Sequence, residues 1–176
     1  DLKIISRWMN ISNHSSEDMQ LTRVLSASID LEDNDWTWMY VSGHWSREQQ
    51  IQEEPLRTCG LKKFQSLLGV SSHHHNPFCI LRRENTTESD GEALAMHLVY
   101  SGNFVAQAQV DAFYRPRVQL GINPEGFKWK LQAGAEFCTP ECIIGYTTQG
   151  IGYLSRNYHQ LYRQHLFRDY GRPRPV

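Results

Sequence analysis

The sequence predicts an all-β chain: an antiparallel β-sandwich closed by a single C-terminal helix. Three observations carry this. Period-two alternation of apolar and polar residues dominates the chain, Gly and Pro separate most of the alternating segments, and only one stretch shows helical spacing. About nine or ten short strands at close spacing suit a sandwich rather than an α/β sheet.

In the first strand Leu2, Ile4 and Trp8 share one face and Ile5, Met9 and Ile11 the other, before a polar turn over 13–18. Leu21, Arg23, Leu25, Ala27 and Ile29 continue as a second strand, which an acidic turn over 30–35 ends. Trp36, Trp38 and Tyr40 lie on one face of the next strand, against Thr37, Met39 and Val41. The stretch 48–54 reads as a polar connection punctuated by Pro55. Strands over 64–70 and 78–81 flank a histidine run, and 82–90 is a charged loop. Further strands are expected over 93–100, 104–110, 118–122, 127–131 and 137–146. Ile151, Leu154, Tyr158, Leu161 and His165 then fall at helical spacing, with Thr148 as a candidate N-cap. Arg163, His165 and Arg168 suit the negative end of that helix. The division is therefore a sandwich region over 1–147 and a linker helix with its tail over 148–176.

A chain of 176 residues, 40% hydrophobic and 21% charged, can bury a real core. A net charge of −1 gives no electrostatic case for nucleic acid or an anionic membrane. No apolar run approaches the ~20 residues of a membrane span. Cys59, Cys79, Cys138 and Cys142 resemble no dense disulfide framework, so free thiols in a reducing cytoplasm are expected. The first residue is Asp1 rather than Met, and 172–176 reads as a polar link onward, so a piece of a longer protein is expected. Sequons occur at Asn10, Asn13 and Asn85 and do not establish secretion.

The densest chemistry lies in Ser71-Ser72-His73-His74-His75-Asn76-Pro77-Phe78. His73 and His75, two apart on a strand, could face one zinc. The third ligand is missing, with His14, His44 and His97 candidates by residue type alone, so no metal is assigned. The other reading is a corner in which imidazoles satisfy buried backbone groups before the Asn76-Pro77 turn. Cys79 near His75 could be a thiol–imidazole pair, but a small buried hydrophobe is the commoner role. Asp30, Asp33, Asp35, Glu53, Glu54 and Asp111 include no pair that the sequence singles out for glycoside chemistry. Trp45, in Ser42-Gly43-His44-Trp45-Ser46-Arg47-Glu48, follows a strand and precedes a polar stretch. A half-exposed indole there could stack on the C–H face of a pyranose.

Several segments together resemble the bacterial α-galactosidases of glycoside hydrolase family 36. They are 25–31 (LSASIDL), 42–48 (SGHWSRE), 71–78 (SSHHHNPF), 98–104 (LVYSGNF), 121–124 (GINP), 137–141 (FCTPE) and 158–163 (YHQLYR), in order across nearly the whole chain. The resemblance implies the later part of an N-terminal β-supersandwich and a connecting helix, leading to a (β/α)8 barrel that carries the catalytic aspartates. It therefore implies no catalytic residue here, no cofactor, and no turnover by this chain alone. The implied parent is a retaining α-galactosidase acting on terminal α-galactosides of the raffinose and melibiose type. The catalytic barrel and other copies of the chain in a homo-oligomer are the implied partners. Trp45 looks like the family's substrate contact across that interface, and His73, His75 and Asn76 like structural or interface residues. Two departures are His74, where the family usually has Gln, and Leu68, where it usually has Arg. The alternatives are a free-standing carbohydrate-binding module with Trp36, Trp38 and Trp45 as its platform, and a histidine metalloenzyme of sandwich type.

Overall fold

The computed structural model describes residues 2–168 and 171–172. Among the described residues fourteen strands run β1 (Ile4–Arg7), β2 (Asn10–Ser12), β3 (Met19–Leu21), β4 (Ala27–Asp30), β5 (Thr37–His44), β6 (Arg47–Pro55), β7 (Gly60–Gln65) and β8 (His75–Arg82). They continue as β9 (Ala93–Leu98), β10 (Phe104–Val110), β11 (Pro116–Ile122), β12 (Trp129–Leu131), β13 (Glu136–Cys138) and β14 (Cys142–Thr147). Helix α1 (Gly150–Leu161) follows and passes into a π-helical turn, Tyr162–Leu166. The expected tail over 173–176 lies outside the described residues.

The all-β class and the single late helix are as the alternation predicts, and the excess strands come from splitting and from one strand, β6, where a connection was expected. The expected first strand breaks at Trp8–Met9, the second at 22–26, and the segment 137–146 at 139–141. A six-stranded sheet of order β1-β14-β9-β8-β5-β6 faces a four-stranded sheet of order β4-β11-β10-β7, and two small ladders, β12-β3 and β13-β2, complete the set. Every named strand pair is antiparallel.

The core between the sheets follows from the alternation. In β10, Phe104, Ala106, Ala108 and Val110 point inward, and β11 supplies Val118 and Leu120. The facing sheet contributes Trp38, Cys79, Leu81, Met96 and Leu98. Alternating Ala with large residues lets the rings of Trp38, Tyr40, Phe64 and Phe104 pack together, with Tyr40 stacked on Phe64 at 4.3 Å between centroids. Arg83 closes one end of this core over Trp36, its guanidinium 3.9 Å from the ring, while it bonds Asp33 and Glu92.

Helix α1 covers the outer side of the six-stranded sheet, where Leu154 and Tyr158 pack with Ile80, Ala93, Ala95 and Ile143. A side chain at Gly145 would sit 2.9 Å from both Leu154 and Tyr158, so only glycine lets the helix lie this close. Its N-terminus corrects the Thr148 expectation. Gln149 is the cap residue and makes no side-chain capping bond. Instead the amides of Gly150, Ile151 and Gly152 donate to the carbonyls of Gly91, Thr87 and Glu88 in the β8–β9 loop.

The stretch 48–54, expected as a connection, is the edge strand β6. It carries no alternation of hydrophobicity because most of its side chains are exposed, and Pro55 ends it where a missing N–H costs nothing. The chain 47–55 and the strand before it thus form the hairpin that positions Trp45.

Candidate functional site

Strands β5 and β6 pair from Thr37–Pro55 to His44–Arg47, and the register shifts between Ser42 and His44. At the resulting bulged tip Ser46 and Gln49 adopt φ values of 67° and 60°. The tip is nevertheless held firmly. The Ser46 amide donates to Glu48 Oε1 at 2.9 Å, His44 Nδ1 lies 2.8 Å from the Trp45 carbonyl, and the Gly43 amide donates to the His74 carbonyl at 3.1 Å. A β-carbon on Gly43 would lie 2.6 Å from the Arg47 carbonyl and 2.8 Å from the Glu48 Cα. Trp45, at this tip, is 82% exposed. An indole so displayed on a bonded turn is an apolar platform that needs no rearrangement to meet a flat ligand.

The histidine run divides. His73 and His74 form the turn before β8, their rings 4.8 Å apart, and both are exposed. His75 begins β8 opposite Ser42, and its ring packs toward Tyr40 and Phe64. Burial, with His74 nearby, pushes the His75 imidazole below its ordinary range. His73 and His75 therefore do not share a side, because strand alternation does not extend into the turn. Among the described residues no group of three or more His, Cys, Asp or Glu could hold a metal ion. The corner's backbone is satisfied by Ser72 Oγ, which accepts from the His74 amide, and by the His74 carbonyl, not by imidazoles. Asn76 is exposed on β8. The run thus braces the hairpin from beside it, through the bond between His74 and Gly43, the pairing of His75 with Ser42 and its ring contact with Tyr40.

The remaining candidates separate in the same way. Trp36 and Trp38 are buried, which removes them from any binding platform and leaves Trp45 as the exposed one of these three. Cys79 is buried among apolar side chains and its thiol is pushed up to about 12, far from a nucleophile's range. All four cysteines are free. The acids are engaged with cations or backbone: Asp30 with Arg117, Asp33 with Arg83, Asp35 with Arg57, Glu53 with Arg82, Glu54 with Lys62, and Asp111 with the amides of Phe113 and Arg115. The guanidiniums of Arg117 and Arg83 hold Asp30 and Asp33 below the usual carboxylate range, the opposite of what a general acid needs. Of the hairpin, the sequence shows Trp45 but not β6, and the signal for that strand is confined to its turn residues.

Residues 1–132 match the family described as the glycosyl hydrolase family 36 N-terminal domain. The chain is 43% identical over 174 residues to α-galactosidase AgaA of Geobacillus stearothermophilus, covering 97% of this chain and 24% of that protein. It is 37% identical over 165 residues to α-galactosidase C of Emericella nidulans, covering 94% of this chain and 22% of that protein. The structure superposes on the family 36 α-galactosidase AgaB of Geobacillus stearothermophilus with a TM-score of 0.95 at 41% identity, over 99% of this chain and 24% of AgaB. A variant of AgaA solved in complex with raffinose matches with a TM-score of 0.94 at 41% identity, over 99% of this chain and 24% of that one. The chain thus spans about a quarter of the length of these relatives. With a family match over three quarters of its residues and the same fold, the chain belongs to the glycosyl hydrolase family 36 N-terminal domain family.

Proposed function

We propose that this chain acts as the N-terminal β-sandwich of a cytoplasmic, retaining α-galactosidase cleaving terminal α-galactosides of the raffinose and melibiose type, and that Trp45 contacts the substrate. In this reading residues 1–147 are the sandwich, residues 148–176 lead from it to a catalytic barrel, and the barrel supplies the nucleophile and the acid/base. Retention needs two carboxyl groups about 5–5.5 Å apart, one of them with a raised pKa. The six acids weighed above are held in ion pairs or by backbone amides, which fits a supporting role. The sandwich packs on the barrel and on other copies of the chain, and its β5–β6 hairpin delivers Trp45 to a neighbouring subunit's active site. His73, His75 and Asn76 build the corner that supports this hairpin. The four free thiols fit a reducing compartment.

The single observation that carries the reading is the 82% exposure of Trp45 on a fixed tip. The test is Trp45→Ala in the whole enzyme. Loss of one stacking platform should raise KM for raffinose about tenfold while kcat changes little. Unchanged KM would remove Trp45 from the substrate site.

A further inference from the structure

The β10–β11 hairpin carries a second exposed aromatic tip. The link over 56–59 takes the chain from the Pro55 end of β6 to Gly60, which pairs with Val110. The tip beyond Val110 therefore lies at the end of the sandwich away from Trp45. Phe113 is 79% and Tyr114 54% exposed. Tyr114 has φ 62°, a left-handed conformation that an aromatic residue rarely adopts. The strain is held in place, because the amides of Phe113, Tyr114 and Arg115 all donate to Asp111. Neither ring belongs to the sandwich core, and both are exposed. A strained, rigid display of aromatics is an observation from which function is properly inferred.

Beside this tip opens a cleft of about 560 Å³. Its walls include Leu31 and Pro116, and its polar groups include Asp30, Gln109, Arg115 and Arg117. Asp30 and Arg117 form a bidentate pair at 2.6 and 2.9 Å, which fixes a plane of donors and acceptors. The carboxylates of Asp30, Glu32 and Asp111 outnumber the guanidiniums of Arg115 and Arg117, so the cleft offers no net attraction for an anion. Asp111 and Arg115, the turn residues on either side of Phe113 and Tyr114, line the cleft, so the planar polar groups and the exposed rings lie at one hairpin end and together suit the hydroxyls and C–H faces of a neutral sugar.

We propose that this cleft and the Phe113–Tyr114 tip form a binding site for a neutral glycan chain bearing α-galactosyl groups. The choice of glycan rests on the α-galactosidase reading above, whereas the site itself rests on the tip and the cleft.

The experiment is affinity electrophoresis of the whole protein through gels containing soluble galactomannan or, as a control, dextran. Hydrolysis of a small chromogenic α-galactoside is measured in parallel and tests the enzyme reading by itself. Wild type should be retarded by galactomannan and not by dextran. Phe113→Ala and Tyr114→Gly should each weaken that retardation about tenfold and leave hydrolysis of the small galactoside unchanged. Trp45→Ala should keep the retardation. Tyr114→Gly should melt no lower than wild type, because glycine takes the left-handed conformation freely. Wild type that runs unretarded in galactomannan, or retardation that survives both tip variants, would overturn the site. Tyr114→Gly that melts well below wild type would show that the ring is structural, and would also overturn it.

Discussion

Replacing Tyr158 with Phe tests how helix α1 is fastened to the sandwich. The Tyr158 hydroxyl is buried, 3.0 Å from the Ile143 carbonyl and 3.1 Å from the Ala95 carbonyl, and it donates its proton to this pair. The ring itself meets Phe78 edge-on at 5.3 Å. Tyr158→Phe keeps the ring and deletes the donor. A neutral hydrogen bond contributes about 1 kcal/mol net, and leaving buried acceptors short of a donor adds to the loss, so the expected cost is about 1.5 kcal/mol. At roughly 2–4 °C per kcal/mol for a chain of this size, the melting temperature should fall by about 3–6 °C. Tyr158→Ala also removes the ring and leaves a cavity, so about 3–5 kcal/mol is expected. Urea titration of both variants separates the two contributions, and amide exchange in α1 should quicken in both. A Phe variant within about 0.3 kcal/mol of wild type, or one as damaged as Ala, would refute the assignment of the hydroxyl as the fastening.

Three further outcomes follow from the structure. His97, half-buried beneath the π-helical turn with Nδ1 3.0 Å from the Tyr162 hydroxyl, is depressed by desolvation from 6.5 to about 4. The unfolded chain binds this proton first, so stability should fall as pH drops from 6.5 towards 4, by up to about 3 kcal/mol. His97→Leu should flatten the fall in urea midpoints over that window. Thiol labelling of the native protein should modify Cys59 and Cys138 quickly and reach Cys79 and Cys142 only in denaturant, since burial raises both of the latter to about 12. Gly43→Ala should displace the β5–β6 tip and raise KM for raffinose in the whole enzyme as Trp45→Ala does, while changing the melting temperature little; equal kinetics for Gly43→Ala and wild type would contradict the steric reading.

The alternation in the sequence by itself determined the fold class, the division of β5 into two faces, and the single helix, because side chains on a strand point to opposite sides at a period of two. It located Trp45 after a strand for the same reason. What it could not supply were features that depend on partners distant in sequence. Strand β6 has no buried face to mark it and exists because β5 offers a pairing edge. Helix α1 starts at Gly150 because loop carbonyls from 87–91 wait there, not because Thr148 can cap it. His73 and His75 part company because one lies in a turn and the other faces Tyr40 and Phe64. The burial of Trp36 and Trp38, and the exposure of Trp45, Phe113 and Tyr114, were likewise decided by the tertiary structure alone. An aromatic residue has the same composition signal in a core and at a tip, and only the packing of one sheet on the other distinguishes them.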